Sequence, residues 1–231
     1  MASLYDFSTG AIRRIYDRRV SGAPVLDVES HFPDARRFRS VWPQLRDEAL
    51  RVAGDLERVP RIHELMSEQA GISANDGRDW RMLVLKAYGT SLPRGLKRCP
   101  VLAETVAASP DVLSAALSFL APGKHVPEHR GPFRGVIRFY MGLSVPLAAD
   151  GRPAAVLTID RREHRVGNGE CLLWDDTFPH EVLNRGDEVR IALLLDVRRR
   201  GMPLDMALLS SVLISAVGLS VRLRRSQLDQ A

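Results

Sequence analysis

Lysine is nearly absent from this chain. Only Lys86, Lys97 and Lys124 occur in 231 residues, so 30 of the 33 basic residues are arginine. The net charge of +5 and a pI near 9.7 would suit nucleic acid or an anionic membrane. The arginines, however, are spread along the chain with acidic residues between them, and arginine in place of lysine also follows from a GC-rich coding sequence. No nucleic-acid partner is expected. Cysteine is as scarce: Cys99 and Cys171 stand far apart with no third partner, which excludes a disulfide framework. Repeats and low-complexity tracts are lacking, and Met1–Phe7 has neither the charged region nor the apolar stretch of a secretory signal. A cytoplasmic protein is therefore expected. The length fits one domain with extensions and allows a full core.

One long apolar run is present, 204–221, followed by Arg222-Leu-Arg-Arg225. It approaches the roughly 17 to 25 residues that span a bilayer, but Asp205, its serines and Gly218 interrupt it. The basic tail behind it suits a membrane surface, so 204–225 is a candidate for peripheral contact with the inner face of the membrane. Packing on the core, packing on a second subunit and a true span explain the same residues. An oligomer stays open on this ground.

Residues 1–40 are polar, rich in arginine and broken by Gly22, Pro24 and Pro33, which reads as an arm with at most a short helix around 10–19. Val41, Leu45, Ala49, Leu50, Val52 and Leu56 recur at near-helical spacing, with Pro43 tolerable in the first turn. A second helix is expected over 99–107, and a strand from Met82 to Tyr88. From Ala115 the pattern changes to short β-like runs separated by Pro, Gly and Asp, at 115–120, 135–146, 154–159, 163–166, 170–174 and 189–197. A mainly β fold with flanking helices follows, an antiparallel sandwich or jelly roll over 41–200 with an apolar, then basic, C-terminal helix or tail over 201–231.

Within that region His129 and His180 each sit at a turn beside a strand-like run, and together they are the best candidate for a metal site. Arg190 opens a hydrophobic strand, where alternation puts it on one face with Ala192 and Leu194. A charge on such a face asks for an anionic partner. Alternation likewise sends Arg138 and Tyr140 to one face of their strand, away from Ile137, Phe139 and Met141. For Arg138 a surface salt bridge is the plain alternative. His31, His63 and His164 carry no motif.

The segments 117–126, His129-Arg-Gly-Pro132, 138–143, 169–182 and 190–197, with a weaker match at 79–89 and Cys99-Pro100, resemble the aspartyl/asparaginyl β-hydroxylase family of iron(II)- and 2-oxoglutarate-dependent oxygenases. The resemblance implies a double-stranded β-helix, a cupin-like jelly roll, and a dioxygenase using Fe(II), 2-oxoglutarate and dioxygen. It places His129 and His180 on the metal, Arg190 on the distal carboxylate of 2-oxoglutarate with Ser118 as its hydroxyl partner, and Arg138 and Tyr140 on the same cosubstrate, Tyr140 standing where animal enzymes have histidine. His125 lies near the site without ligating. In most such oxygenases a carboxylate completes the metal set; here Gly131 occupies its position, matching the two-ligand branch and leaving a site for water or, in a halogenase, for chloride. Asp175 and Asp176 are read as a turn residue and an acceptor for a histidine N–H, and Asp196 as structural. The target implied is the β-carbon of an aspartyl or asparaginyl residue in a peptide, protein or related amino acid. Lipid A acyl chains are the alternative, since lipid A 2-hydroxylases resemble the chain at Trp80–Tyr88, at Cys99-Pro100 and in having a tail beyond the barrel. They normally carry His-x-Asp and an N-terminal membrane segment, both absent here. A non-catalytic jelly-roll binding module is the reading from outside enzymology, and an intact set of His129, His180 and Arg190 argues against it.

Overall fold

The computed structural model describes residues 4–230, with side chains described from residue 10 onward except at 227, 228 and 230. In chain order, α1 (Leu4–Arg19), β1 (Val25–Leu26), α2 (Val28–His31), α3 (Ala35–Ser40), α4 (Trp42–Ala53), α5 (Ile62–Leu65) and α6 (Ala70–Ser73) precede β2 (Trp80–Ala87) and β3 (Thr90–Ser91). Two short helices, α7 (Pro93–Arg98) and α8 (Pro100–Ala107), lead into β4 (Val112–Leu120), β5 (His125–His129), β6 (Val136–Ser144) and β7 (Ala155–Ile159). Then come β8 (Arg162–His164), β9 (Cys171–Trp174), β10 (His180–Asn184), β11 (Arg190–Arg198), α9 (Leu204–Leu223) and α10 (Arg225–Gln230).

Successive strands from β4 to β11 are dealt between two antiparallel sheets. The larger sheet runs β1-β9-β6-β11-β4-β2-β3 and the smaller β5-β10-β7-β8. Within the larger sheet the order β4-β11-β6-β9 pairs first with last and third with sixth, while β5-β10-β7-β8 does the same for the rest. That winding is the double-stranded β-helix, here extended by β2 and β3 on one edge and β1 on the other.

Period-two alternation divides the residues of the larger sheet between two buried faces. On β11, Ile191, Leu193, Leu195 and Val197 join Phe139 and Met141 of β6 and Leu117 and Phe119 of β4 in a core roofed by the N-terminal helices. The intervening residues, Arg190, Ala192 and Leu194, with Arg138, Tyr140 and Ser118, fall on the other face, toward the smaller sheet. Burial on both faces explains why these strands read as nearly continuous apolar runs. The roof is held by α4, whose Leu45, Ala49 and Val52 are buried at helical spacing. Buried Glu48 accepts from the free amides of α8, Val101 N at 2.8 Å and Leu102 N at 3.1 Å.

Residues 1–40 carry more structure than an arm. The helix α1 extends further back than expected, its Tyr16 is fully buried against Phe133, and Leu26, Phe32, Ala35 and Phe38 enter the main core. Phe32, at the end of α2, and Phe38, within α3, lie 5.3 and 6.2 Å from Phe139 and add their aromatic area to that core. Cys99 and Cys171 are free thiols.

Candidate active site

The two histidines come together on the smaller sheet. His129 ends β5, His180 begins β10, and the two are direct cross-strand partners. Their ring centroids are 4.2 Å apart. Each ring is fixed by its own chain: His129 Nδ1 lies 2.8 Å from Pro127 O and His180 Nδ1 lies 3.0 Å from Phe178 O. A carbonyl can only accept, so both Nδ1 atoms carry the proton and both Nε2 atoms keep a free lone pair. Burial lowers the pKa of His129, and burial together with the neighbouring His129 pushes His180 down to about 3. At neutral pH the pair is therefore two neutral imidazoles, the protonation state in which histidine binds a metal. The acceptors are backbone carbonyls two residues back. Asp175 and Asp176 do not serve the rings.

Asp175 is instead the turn residue. Its Oδ1 accepts from Thr177 N at 3.1 Å and Thr177 Oγ1 at 2.6 Å, and its Oδ2 takes Arg199 Nη1 at 2.6 Å. Asp176 faces Arg138, with Oδ2 3.3 Å from Nη2, while Arg138 Nε lies 2.8 Å from Asp196 Oδ1. Arg138 thus bridges two carboxylates, and the exposed surface pair is excluded. Burial raises Asp176 to about 7, only partly offset by Arg138. Asp176 also explains Gly131, because a Cβ at residue 131 would lie 2.1 Å from Asp176 Oδ1. The space that the sequence reading leaves open beside Gly131 is filled by this carboxylate. Among the described residues no group of three or more His, Cys, Asp or Glu is gathered as metal ligands; what converges is the pair.

Arg190, Ser118, Arg138 and Tyr140 line the same pocket as the two histidines, with Trp80 and Trp174 across it. Arg190 is 3% exposed, its guanidinium carbon lies 5.6 Å from the Tyr140 ring centre, and its Nε and Nη1 have no hydrogen-bond partner. Burial holds its pKa below the usual value. A buried, half-satisfied guanidinium is unfavourable by itself and fits the carboxylate of a bound acid. Ser118 sits on the neighbouring strand opposite Ala192, where its Oγ accepts from Trp80 Nε1 at 3.1 Å. Its own hydroxyl proton is left free to donate. His125 stays outside, paired with Glu181 at 2.8 Å.

Two pocket residues were missed in the sequence. His164 lines the rim with its Nε2 unpartnered, and Trp174 meets His180 edge-on at 5.9 Å with its Nε1 unpartnered. The available signal was alternation: on the strand 162–164, His164 pairs with inward Leu157.

Residues 39–200 match the profile described as aspartyl/asparaginyl beta-hydroxylase. The chain is 30% identical over 178 residues to an ornithine lipid ester-linked acyl 2-hydroxylase of Rhizobium tropici, covering 77% of this chain and 61% of that protein. It is 23% identical over 175 residues to human aspartyl/asparaginyl beta-hydroxylase, covering 70% of this chain and 22% of that protein. It therefore spans less than two thirds of either relative. Among solved structures, a cupin domain of a transcriptional regulator from Enterobacter cloacae overlaps 38% of this chain and 82% of its own at 20% identity and a TM-score of 0.31. It is the strand order above that identifies the jelly roll.

Proposed function

The chain belongs to the aspartyl/asparaginyl beta-hydroxylase family, and from that premise we propose that it is an Fe(II)- and 2-oxoglutarate-dependent dioxygenase that hydroxylates an unactivated carbon. The observation that carries this reading is the convergence of two Nδ1-tethered neutral histidines and one unsatisfied buried arginine in a single pocket. His129 and His180 would hold the metal through Nε2. Arg190 would take the distal carboxylate of 2-oxoglutarate in a forked pair, with the Ser118 hydroxyl donating beside it. Iron and 2-oxoglutarate together supply the activation of dioxygen.

The protein's part is to bind, orient and exclude water. The backbone tethers fix both imidazole planes before anything binds, so little reorganisation is needed. Val126, Leu157, Val182 and Leu194 form apolar walls that keep the pocket dry. Arg138, paired with Asp196 and held against Asp176, is locked in place. The buried carboxylate beside Gly131 makes that side of the site a poor place for chloride, which weighs against halogenation.

For the target, the family's description supports an aspartyl or asparaginyl side chain, and similarity to the Rhizobium enzyme supports the acyl chain of a membrane lipid. The pocket favours the acyl chain. A substrate carboxylate needs a cation, yet Arg138 is committed to two acids and Arg190 to the cosubstrate, while the remaining walls are mostly apolar. The test is to incubate the enzyme with Fe(II), 2-oxoglutarate and either lipid extract or aspartyl peptides, following succinate and a product gain of one oxygen by mass spectrometry. Turnover on peptides alone would reverse the choice of target; no substrate-dependent succinate with either would remove the oxygenase reading.

A further inference from the structure

Helix α9 leaves the domain with one face uncovered. Its inner side is well packed: Met206 and Ile214 are buried with Phe133 and Val136, and buried Ser210 meets the Tyr16 hydroxyl at 2.6 Å. Gly218 lies against Tyr88, where a Cβ would come within 2.8 Å of the carbonyl oxygen. The outer side carries Leu204 at 84% exposure, Leu208 at 69%, Val212 at 66%, Leu219 at 57% and Leu223 at 78%. These recur every turn or two turns along one stripe, and no charged residue stands between Asp205 and Arg222. A surface helix on a water-soluble domain ordinarily places its charges at these positions, and apolar faces of this length mark interaction sites.

The ends of the stripe indicate what covers it. Arg222, Arg224 and Arg225 are exposed at the C-terminal end. At the other end Asp205 is matched by Arg19 at 2.6 Å and Asp111 by Arg200, and Arg198 donates to Ser211 at 3.4 Å. Both ends are thus arginine-lined with their acids already paired. A second copy laid on this face, parallel or antiparallel, would set arginines against arginines, whereas a negatively charged lipid surface meets both ends favourably.

We propose that α9 lies flat in the surface of an anionic bilayer, its leucines among the acyl chains and Arg222, Arg224 and Arg225 on the phosphates. The helix is long and apolar enough to cross a membrane. Spanning, however, would strip Met206, Ser210 and Ile214 from Tyr16, Phe133 and Val136, so this fold supports the in-plane arrangement. Its inner face packs on Phe133 in the link from β5 to β6 and on Val136, which opens β6, so one helix diameter, about 10 Å, separates the lipid from that link. The proposal deepens the acyl-chain reading and rests on it only for its purpose: membrane binding is measured without turnover.

The test is flotation of the full, metal-free chain with phosphatidylcholine vesicles, with or without phosphatidylglycerol. The wild type should bind the anionic vesicles and lose binding at high salt. Removing one arginine charge should weaken binding roughly five-fold, so R222Q/R224Q/R225Q together should lose on the order of a hundred-fold. L208Q/V212Q/L219Q should abolish binding with Tm unchanged, since these side chains touch solvent. Trypsin cleavage at Arg222–Arg225 in the wild type, slowed by anionic vesicles and not by neutral ones, gives the same answer without a variant. Absence of wild-type binding, unchanged binding in the leucine variant or no protection from trypsin would overturn the proposal. A wild-type dimer that the leucine variant turns into a monomer, without vesicle binding, would assign the face to a second copy. Vesicle binding that survives in an H180A variant lacking hydroxylase activity would show that docking and catalysis stand or fall separately.

Discussion

Replacing Arg190 by methionine should make the ligand-free protein more stable while abolishing its response to 2-oxoglutarate. In the structure Arg190 is 3% exposed and leaves Nε and Nη1 without partners. Each unsatisfied buried donor on a charged group costs about 1–3 kcal/mol, so removing both while keeping an apolar stem should return about 2–5 kcal/mol. For a chain of this size about 2–4 °C accompanies each kcal/mol, giving a rise in Tm of roughly 4–20 °C. The wild type should instead gain about 2.7 kcal/mol from 2-oxoglutarate at a hundred times its Kd, or roughly 5–10 °C, and the variant nothing. Lysine at this position should recover only part of the ligand shift, because it lacks the fork. The assay is an anaerobic thermal melt with Fe(II), with and without 2-oxoglutarate. A variant that melts lower than the wild type would refute the argument from the unsatisfied guanidinium; one that keeps the full ligand shift would refute the role of Arg190 in holding a carboxylate.

Three further outcomes follow from the same geometry. The native state holds the Asp176 proton up to about pH 7, so this carboxyl stabilises the metal-free fold fully in acid and that stabilisation is lost as pH rises toward 7 and beyond. D176N should therefore gain in Tm relative to wild type between about pH 4.5 and about pH 8, and parallel Tm curves would contradict the buried carboxyl. His180 acts in the opposite sense: with its pKa pushed down to about 3, its neutral form contributes stability that is present above about pH 6.5 and lost as pH falls, a slope that H180Q should flatten in equilibrium unfolding. G131D should be destabilised by several kcal/mol, roughly 3 or more, because its Cβ would lie 2.1 Å from Asp176, and D176G in the same chain should restore much of the loss; an undisturbed melt in the single variant would show that the two positions do not compete.

The strands of the larger sheet were legible because both faces are buried and the residues announce it, as Val189–Val197 does. Alternation put Arg190 on one face with Ala192 and Leu194, and Arg138 with Tyr140 on one face of their strand, while their meeting in one pocket was implied only by the family resemblance. Strands β5 and β10 were not legible, although they carry both histidines. In β5 Pro127 interrupts the pattern and Val126 is its one aliphatic residue, while β10 places His180, Glu181 and Asn184 around Val182 and Leu183. A strand that carries the site's polar side chains gives up the apolar alternation by which strands are recognised. A short helix over 10–19 was legible, but the burial of α1 was not: its arginines hide one fully buried ring, Tyr16, whose partners Phe133 and Ser210 lie more than a hundred residues away in sequence. Gly131 was legible as a missing side chain, but that Asp176 fills the space could only be seen in three dimensions.

The most direct test of the site is anaerobic titration of the metal-free protein with Fe(II) and 2-oxoglutarate, watched in the visible region. If His129 and His180 hold the metal beside Arg190, a charge-transfer band should appear at one equivalent of iron only when 2-oxoglutarate is present, and H129A and H180A should each lose it while remaining folded. A band of full intensity in either histidine variant, or none in the wild type, would contradict the assignment.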